Sequence, residues 1–258
     1  MLIDFHTHYL DEPDYLERLV ETYLKLGIEK ICLSGLGEMF KMKENKDVEE
    51  ALRKYPDMVT GFAYVRLGED TPEKIKEFRL RGFRGLKITI PPANYDHEDF
   101  FPLYEKAEEL RMPILFHCAI VAPAVAWRPN ISSDRMRPVL LERIARTFSG
   151  LKLVCAHLGV PWFEEAATLS RLIPNIYLDI SGAYDGWRAV KGAGFFRETL
   201  WFKDAWKRVV FGSDVHYKEL PLVLDRDRKL LEELELTGEE SAGYFGRNAL
   251  SLLSKEDS

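Results

Sequence analysis

The chain predicts a single (β/α)8 barrel. Three observations point there: eight short β-type apolar runs recur along 258 residues, amphipathic helical segments alternate with them, and no linker or shift of composition divides the chain. Barrels of this class need about 250 residues as one unit, so the whole of 1–258 reads as one domain. A doubly wound open sheet is the competing architecture, and the first strand-to-turn segment lacks the Gly-x-Gly-x-x-Gly loop expected of it.

The predicted strands are Leu2–Phe5, Lys30–Ser34, Val59–Val65, Gly85–Ile90, Ile114–His117, Lys152–His157, Ile176–Ile180 and Val209–Gly212. Start and stop signals place helices between them. Pro13 and Asp14 open a segment that Gly27 ends, and Thr71-Pro72-Glu73 opens one running to Leu80. Further helical patterns cover Glu98–Leu110, Ser133–Phe148, Trp162–Leu172, Phe195–Trp206, Glu219–Leu234 and Glu240–Leu253, the last preceded by the capping box Thr237-Gly238-Glu239-Glu240.

Apolar content of 46%, charged content of 30% and a net charge of -6 are those of a globular protein that binds neither nucleic acid nor anionic membrane in general. No cleavable signal and no apolar stretch long enough to span a bilayer is read. The odd cysteines Cys32, Cys118 and Cys155 lack Cys-x-x-Cys spacing and fall in or beside apolar runs, which fits buried thiols in a cytoplasmic protein. Glutamine is absent and Glu, Lys and Arg abound, a composition like that of proteins from thermophiles.

The chemistry gathers at strand ends. Asp4-Phe5-His6-Thr7-His8 follows the first apolar residues, and in an extended strand side chains two apart share a face, so His6 and His8 can reach one metal ion. His117 closes Pro113-Ile114-Leu115-Phe116, His157 closes Leu151–Ala156, and Asp214 follows Val209-Val210-Phe211-Gly212-Ser213. In a barrel these ends surround one mouth, which brings five polar residues together across the sequence.

This pattern resembles the amidohydrolase superfamily, in particular the branch with aminocarboxymuconate-semialdehyde decarboxylase. The resemblance runs through Asp4–His8, Gly82–Ile88, Pro113–His117, Ala156-His157-Leu158-Gly159, Phe211–Asp214 and Gly246–Leu250. It implies that His6, His8, His117 and Asp214 bind a divalent metal, zinc first and manganese second, with Asp214 also catalytic and His157 a catalytic imidazole or a support behind the ligands. It implies one ion. A second stays open, because binuclear members bridge two metals with a carboxylated lysine at the end of strand four, the place of Lys87, with which His157 could complete a second site. Otherwise Lys87 pairs with Asp214 or a substrate anion. Many relatives carry histidine where this chain has Thr89. TatD-like nucleases usually place glutamate at the Lys87 position.

Arg66, Trp127, Arg128, Trp187 and Arg188 lie in loops after strands and put guanidinium groups and aromatic faces at the mouth, which predicts a small anionic substrate; surface ion pairing is the plain alternative for each arginine. His216, two after Asp214, is a candidate substrate contact or support, and His97 reads as a solvated loop or helix-start residue. The expected activity is hydrolysis of an ester, lactone or amide by metal-activated water. Nonoxidative decarboxylation is the alternative, and a non-catalytic binding barrel the third reading. A homodimer is compatible with the family.

Overall fold

Alternating apolar runs do build a barrel. The computed structural model describes residues 1–121 and 130–253, so Trp127 and Arg128 lie outside the described residues. Eight strands hydrogen-bond in parallel and in sequence order: β1 Ile3–His8, β2 Lys30–Ser34, β3 Val59–Val65, β4 Gly85–Ile88, β5 Ile114–Phe116, β6 Leu153–Cys155, β7 Ile176–Asp179 and β8 Val209–Val210. The backbone N–H of Phe5 donates to Phe211 O at 2.9 Å, and that of Asp214 to His6 O at 2.8 Å, which joins the last strand to the first. Closure removes the exposed sheet edges that an open sheet would leave.

The described helices are α1 Tyr15–Lys25, α2 Asn45–Lys54, α3 Pro72–Leu80, α4 Phe101–Glu109, α5 Leu141–Thr147, α6 Phe163–Leu172, α7 Trp187–Val190, α8 Ala193–Thr199, α9 Leu220–Glu233, α10 Gly238–Ala242 and α11 Asn248–Leu253. The sequence reading gave no helix to α2, whose only buried side chains are Val48 and Ala51 among charged residues. Its start is held instead by the Glu44 N–H, which donates to Asp47 Oδ2 at 2.9 Å. Other predicted helices break. Arg137 precedes Pro138 and is extended (φ -64°, ψ 143°), so two short 3-10 turns replace the first half of 133–148. Asp204, with φ 62°, interrupts 195–206. The last segment begins on the expected capping box, with Thr237 N donating to Glu240 Oε2 at 2.9 Å, and a wide turn at Gly243–Arg247 then splits it. Within that turn the Tyr244 carbonyl accepts the Phe211 N–H, tying the chain end to the last strand.

Two apolar layers form. The larger lies between strands and helices; the smaller fills the barrel with Ile3, Phe5, Cys32, Phe62, Leu115 and Val154, and Ala249 and Leu252 of α11 join it. The three cysteines are free and buried.

One irregularity in β1 sets up the site. Its pairing with β2 slips by one residue between Asp4 and Thr7. Without a slip, Phe5 and His6 would point to opposite faces; with it, Phe5 packs inside the barrel while His6 also reaches inward to Lys87 of β4 and Asp179 of β7. Asp4 and Thr7 face outward, where both meet the Tyr23 hydroxyl of α1.

Close approach at the seam needs glycine at 212: a Cβ built there would lie 2.8 Å from the Cβ of His6. Gly212→Ala is expected to cost roughly 1–3 kcal/mol, as overpacking does in dense cores. Thermal melts check this, and an unchanged midpoint would show that the seam has slack.

Candidate metal centre and active site

The strand ends deliver a compact polar cluster. His6 and His8 come from β1, Lys87 from β4, His117 from the residue after β5, His157 from a turn after β6, and Asp214 from the segment after β8. His157 and Asp214 hold positive φ, 60° and 49°, a conformation uncommon for non-glycine residues and concentrated at functional sites.

Three donor atoms converge. His6 Nε2 lies 3.2 Å from His8 Nε2, and Asp214 Oδ1 is 3.3 Å from His8 Nε2 and 3.8 Å from His6 Nε2. Ligands at about 2.1 Å from a tetrahedral zinc stand roughly 3.4 Å apart, so the triangle suits one such ion. The chemistry agrees. His6 Nδ1 faces the Asp179 carboxylate at 2.9 Å, and His8 Nδ1 faces the Ser34 carbonyl at 3.4 Å and its hydroxyl at 3.0 Å. A carboxylate accepts only, so His6 Nδ1 carries its proton; with His8 in the same tautomer, which the Ser34 carbonyl favours, the two Nε2 lone pairs face each other. Lone pairs that close call for a cation between them. Lys87 Nζ, 2.9 Å from His6 Nε2, is the positive group nearest to hand.

His117 stands behind this triangle. Its Nδ1 is 3.0 Å from His157 Nε2, while its own Nε2 is buried without a hydrogen-bond partner. His157 is engaged at both nitrogens, since its Nδ1 meets the Ser181 hydroxyl at 2.9 Å and lies 3.8 Å from Asp214 Oδ2. His6, His157 and Asp214 also offer atoms within 4.8 Å of one another. The free nitrogen nonetheless belongs to His117.

Burial favours the neutral form of three imidazoles. It pushes His6 down to about 4, helped by Lys87, and lowers His117 and His157 as well. Burial also brings Lys87 down to about 8. For Asp214, burial works to raise the carboxyl, but the imidazoles of His6, His8 and His157 outweigh it and hold it well below the usual range. Asp4 goes the other way: burial raises it against hydrogen bonds from Ser213 and Tyr23.

The remaining sequence candidates fall in different places. Arg66 stacks on Tyr64 at 4.8 Å, pairs with Glu44 at 3.1 Å, and lines a cavity of ≈ 780 Å³ past the ends of β2, β3 and β4 together with Leu36, Ile90 and Arg135. Tyr64, which also lines it, pairs with Lys87 in the β3–β4 register, although no cluster residue lines the cavity itself. Trp187 donates Nε1–H to the Ser181 carbonyl at 3.1 Å and packs on Phe163 and Phe195. His216 is directed to Glu12 at 3.2 Å and stacks on Tyr217. His97 is the expected helix-start residue, its Nδ1 accepting the Asp99 N–H at 3.4 Å.

Arg188 is a correction. It is 3% exposed and lies beneath the mouth, its guanidinium paired with Asp227, which also accepts the Tyr244 hydroxyl at 2.5 Å. The sequence placed it in a loop, whereas it sits in α7, turned inward because α9 supplies a buried carboxylate for it. The reading also missed Asp179 and Ser181. The signal was present: Asp179 is an acid closing an apolar strand, the same pattern that singled out His117 and His157.

The amidohydrolase family model matches residues 38–255. The chain belongs to the amidohydrolase family. Metal dependence is general in that superfamily, and membership makes the chain an enzyme. The match begins after β1, so the contribution of His6 and His8 rests on the geometry above. No curated protein matches the sequence. Among solved structures, an uncharacterized TIM-barrel protein from Bordetella bronchiseptica superposes with a TM-score of 0.74 at 19% identity, covering 98% of each chain. A probable 2-pyrone-4,6-dicarboxylic acid hydrolase from Acinetobacter baumannii, with citric acid bound, gives 0.68 at 16% identity, and 5-carboxyvanillate decarboxylase from Sphingomonas paucimobilis gives 0.69 at 16% identity; each is covered to 98%, as is this chain. Such identities show the shared fold. Among the described residues no helix is long and apolar enough to cross a membrane.

Two outcomes follow from this geometry. Arg188→Met removes one partner of a buried ion pair and should cost roughly 3–5 kcal/mol of stability in denaturant unfolding; a stable variant with a raised KM would return Arg188 to substrate binding. The second concerns pH. A histidine whose folded pKa lies below its unfolded 6.5 contributes full stability above 6.5 and loses it as the pH falls toward about 4, because the unfolded chain takes up the proton first. Metal-free protein should therefore melt progressively lower across that window; a flat midpoint would contradict buried neutral imidazoles.

Proposed function

We propose that the chain is a hydrolase that uses one divalent cation, zinc before manganese, to cleave an ester, lactone or amide of a small anionic substrate. The ligands in this reading are His6 and His8 through Nε2, His117, and Asp214 through Oδ1. When bound, the cation supplies Lewis acidity, polarising the acyl oxygen and acidifying water. The observation that carries the hydrolase reading is the second oxygen of Asp214. At 3.8 Å from His157 Nδ1 it lies beyond hydrogen-bonding distance, and the side chain is 23% exposed toward the mouth.

Asp214 Oδ2 is thus placed to accept the proton of the attacking water. From there the proton can pass on to the leaving group. Lys87, beside His6, offers a positive group for the substrate oxygen, and the single-cation reading leaves it as an amine. His157 contributes by holding His117, since both of its ring nitrogens are engaged. Arg66 supports an anionic substrate: its guanidinium faces the cavity beside the cluster, where a substrate carboxylate would exchange with Glu44.

The test combines composition and turnover. Protein purified without chelator should hold about one divalent ion per chain, lost in the His6→Ala/His8→Ala double variant. A panel of esters, lactones and amides with acid groups should release free acid without carbon dioxide, and Asp214→Asn should lower kcat by about 10²–10⁴-fold. Carbon dioxide released from aromatic or unsaturated carboxylic acids would replace the hydrolase with a carboxy-lyase. Two ions per chain would place Lys87 in a bridge.

A further inference from the structure

A backbone rung between β4 and β5 is missing at the mouth, and a side chain stands in its place. Along this edge the Leu86 N–H donates to Pro113 O and the His117 N–H to Ile88 O, both at 2.9 Å. Rungs of a parallel pair repeat every two residues, so the Ile90 N–H would be the next to donate, to the carbonyl of His117. Ile90 instead turns away with φ 50°, and its N–H points at the sulfur of Met136 at 3.3 Å. Pro91 and Pro92 follow and carry no N–H, so the next two backbone positions offer His117 no donor either.

The turn has a use, since Ile90, Pro91 and Pro92 line the cavity that Arg66 also lines. Strand β4 leaves the barrel there to build a wall, while β5 must still present His117. The Tyr95 hydroxyl supplies the donor that the turn removed, reaching His117 O at 2.9 Å. Its other neighbour, Ile88 O at 3.4 Å, already accepts the His117 N–H. Tyr95 is itself held by its ring and by both backbone groups. It is fully buried, its ring meets that of Phe116 edge-on at 4.8 Å, its N–H donates to Arg135 O at 3.2 Å, and its carbonyl accepts the Tyr104 hydroxyl of α4 at 2.8 Å. Burial pushes the phenol well up, so it keeps its proton and remains a donor.

We propose that Tyr95 is a positioning residue for the cation site: its hydroxyl replaces the absent rung and fixes the height at which β5 presents the His117 imidazole. This rests on the cation reading above, in which His117 is a ligand. Past Phe116 two bonds tie the His117 backbone toward β4, its own N–H to Ile88 and the Tyr95 hydroxyl to its carbonyl, and loss of the hydroxyl leaves one. Being fully buried, Tyr95 acts through His117 and not on the substrate. It lets one strand turn outward to form the cavity while its neighbour stays in place to carry a ligand.

Zinc titration and the visible spectrum of the cobalt(II)-loaded protein read the site itself, because cobalt d–d bands report ligand number and geometry. Tyr95→Phe keeps the ring and removes only the donor. It should weaken the zinc Kd about 10- to 100-fold and change the cobalt bands. Asn248→Ala is the control, since its side-chain amide also donates to backbone carbonyls, those of Trp206 and Val209, both at 2.8 Å, at the end of β8 away from the mouth. It should lower the melting midpoint and leave Kd and bands as in the wild type. Wild-type Kd and bands in Tyr95→Phe overturn the proposal; so does equal weakening in both variants, which would make the effect one of stability. In the wild type the Tyr95 hydroxyl proton should be resolved by NMR and protected from exchange, and free exchange overturns the proposal even if Tyr95→Phe does not fold. A wild type that takes up neither zinc nor cobalt overturns the cation reading, and the proposal falls with it.

Discussion

Closure of the barrel at the β8–β1 seam is the constraint on which the site depends. Backbone bonds from Phe5 to Phe211 and from Asp214 to His6 lock the first strand to the segment after the last, so donors at positions 6, 8 and 214 become neighbours. The Asp4 carboxylate reinforces the seam from outside the barrel. Its Oδ1 accepts the N–H of His6 at 3.1 Å and of Ser213 at 2.9 Å, and its Oδ2 accepts the Tyr23 hydroxyl at 2.7 Å. One side chain thereby fixes the backbone on either side of the candidate ligands and ties both to α1. The slip in β1 then turns His6 inward, where it would otherwise have faced α1.

Around that seam the electrostatics are arranged by burial. Neutral imidazoles surround two carboxylates, Asp179 and Asp214, that stay ionised because the histidines beside them favour the charged form. The distinction between these two acids and Asp4 is one of neighbours. Asp4 faces hydroxyls and amides, and burial raises it; Asp179 and Asp214 face imidazoles, and burial is outweighed. A cation added to the triangle of His6, His8 and Asp214 would meet lone pairs already directed at it, in a low-dielectric setting where such interactions are strong.

The same scaffold hosts different reactions. A probable hydrolase and a decarboxylase share this fold at 16% identity each, which accords with barrels that vary chemistry through loops and strand ends while conserving architecture. At those ends this chain places an Asp214 oxygen 3.8 Å from His157 Nδ1, an arginine bordering the adjoining cavity, and Lys87 Nζ 2.9 Å from His6 Nε2. Arg188, by contrast, serves the wall beneath. Asp227 accepts from Arg188 and from the Tyr244 hydroxyl, which ties α7 to α9 and to the turn after α10.

The sequence by itself determined the barrel, because eight apolar runs and the helical segments between them repeat a local pattern that a closed parallel sheet buries throughout, and no Gly-x-Gly-x-x-Gly loop follows the first run as an open doubly wound sheet would favour. It also marked His6, His8, His117, His157, Asp214 and Lys87, since a polar residue ending an apolar strand is a local anomaly. Helix α2 escaped because its apolar face is only two residues wide, and the Pro138 and Asp204 breaks because periodicity overran a local backbone preference. Tertiary structure alone decided which atoms meet. The slip in β1, the inward turn of Arg188 toward Asp227 and the bonds from Asp179 to His6 and Ser181 each join residues far apart in the chain or depend on register. No local pattern carries that information, because a hydrogen bond is set by the distance and direction between two groups, and only the closed barrel fixes both.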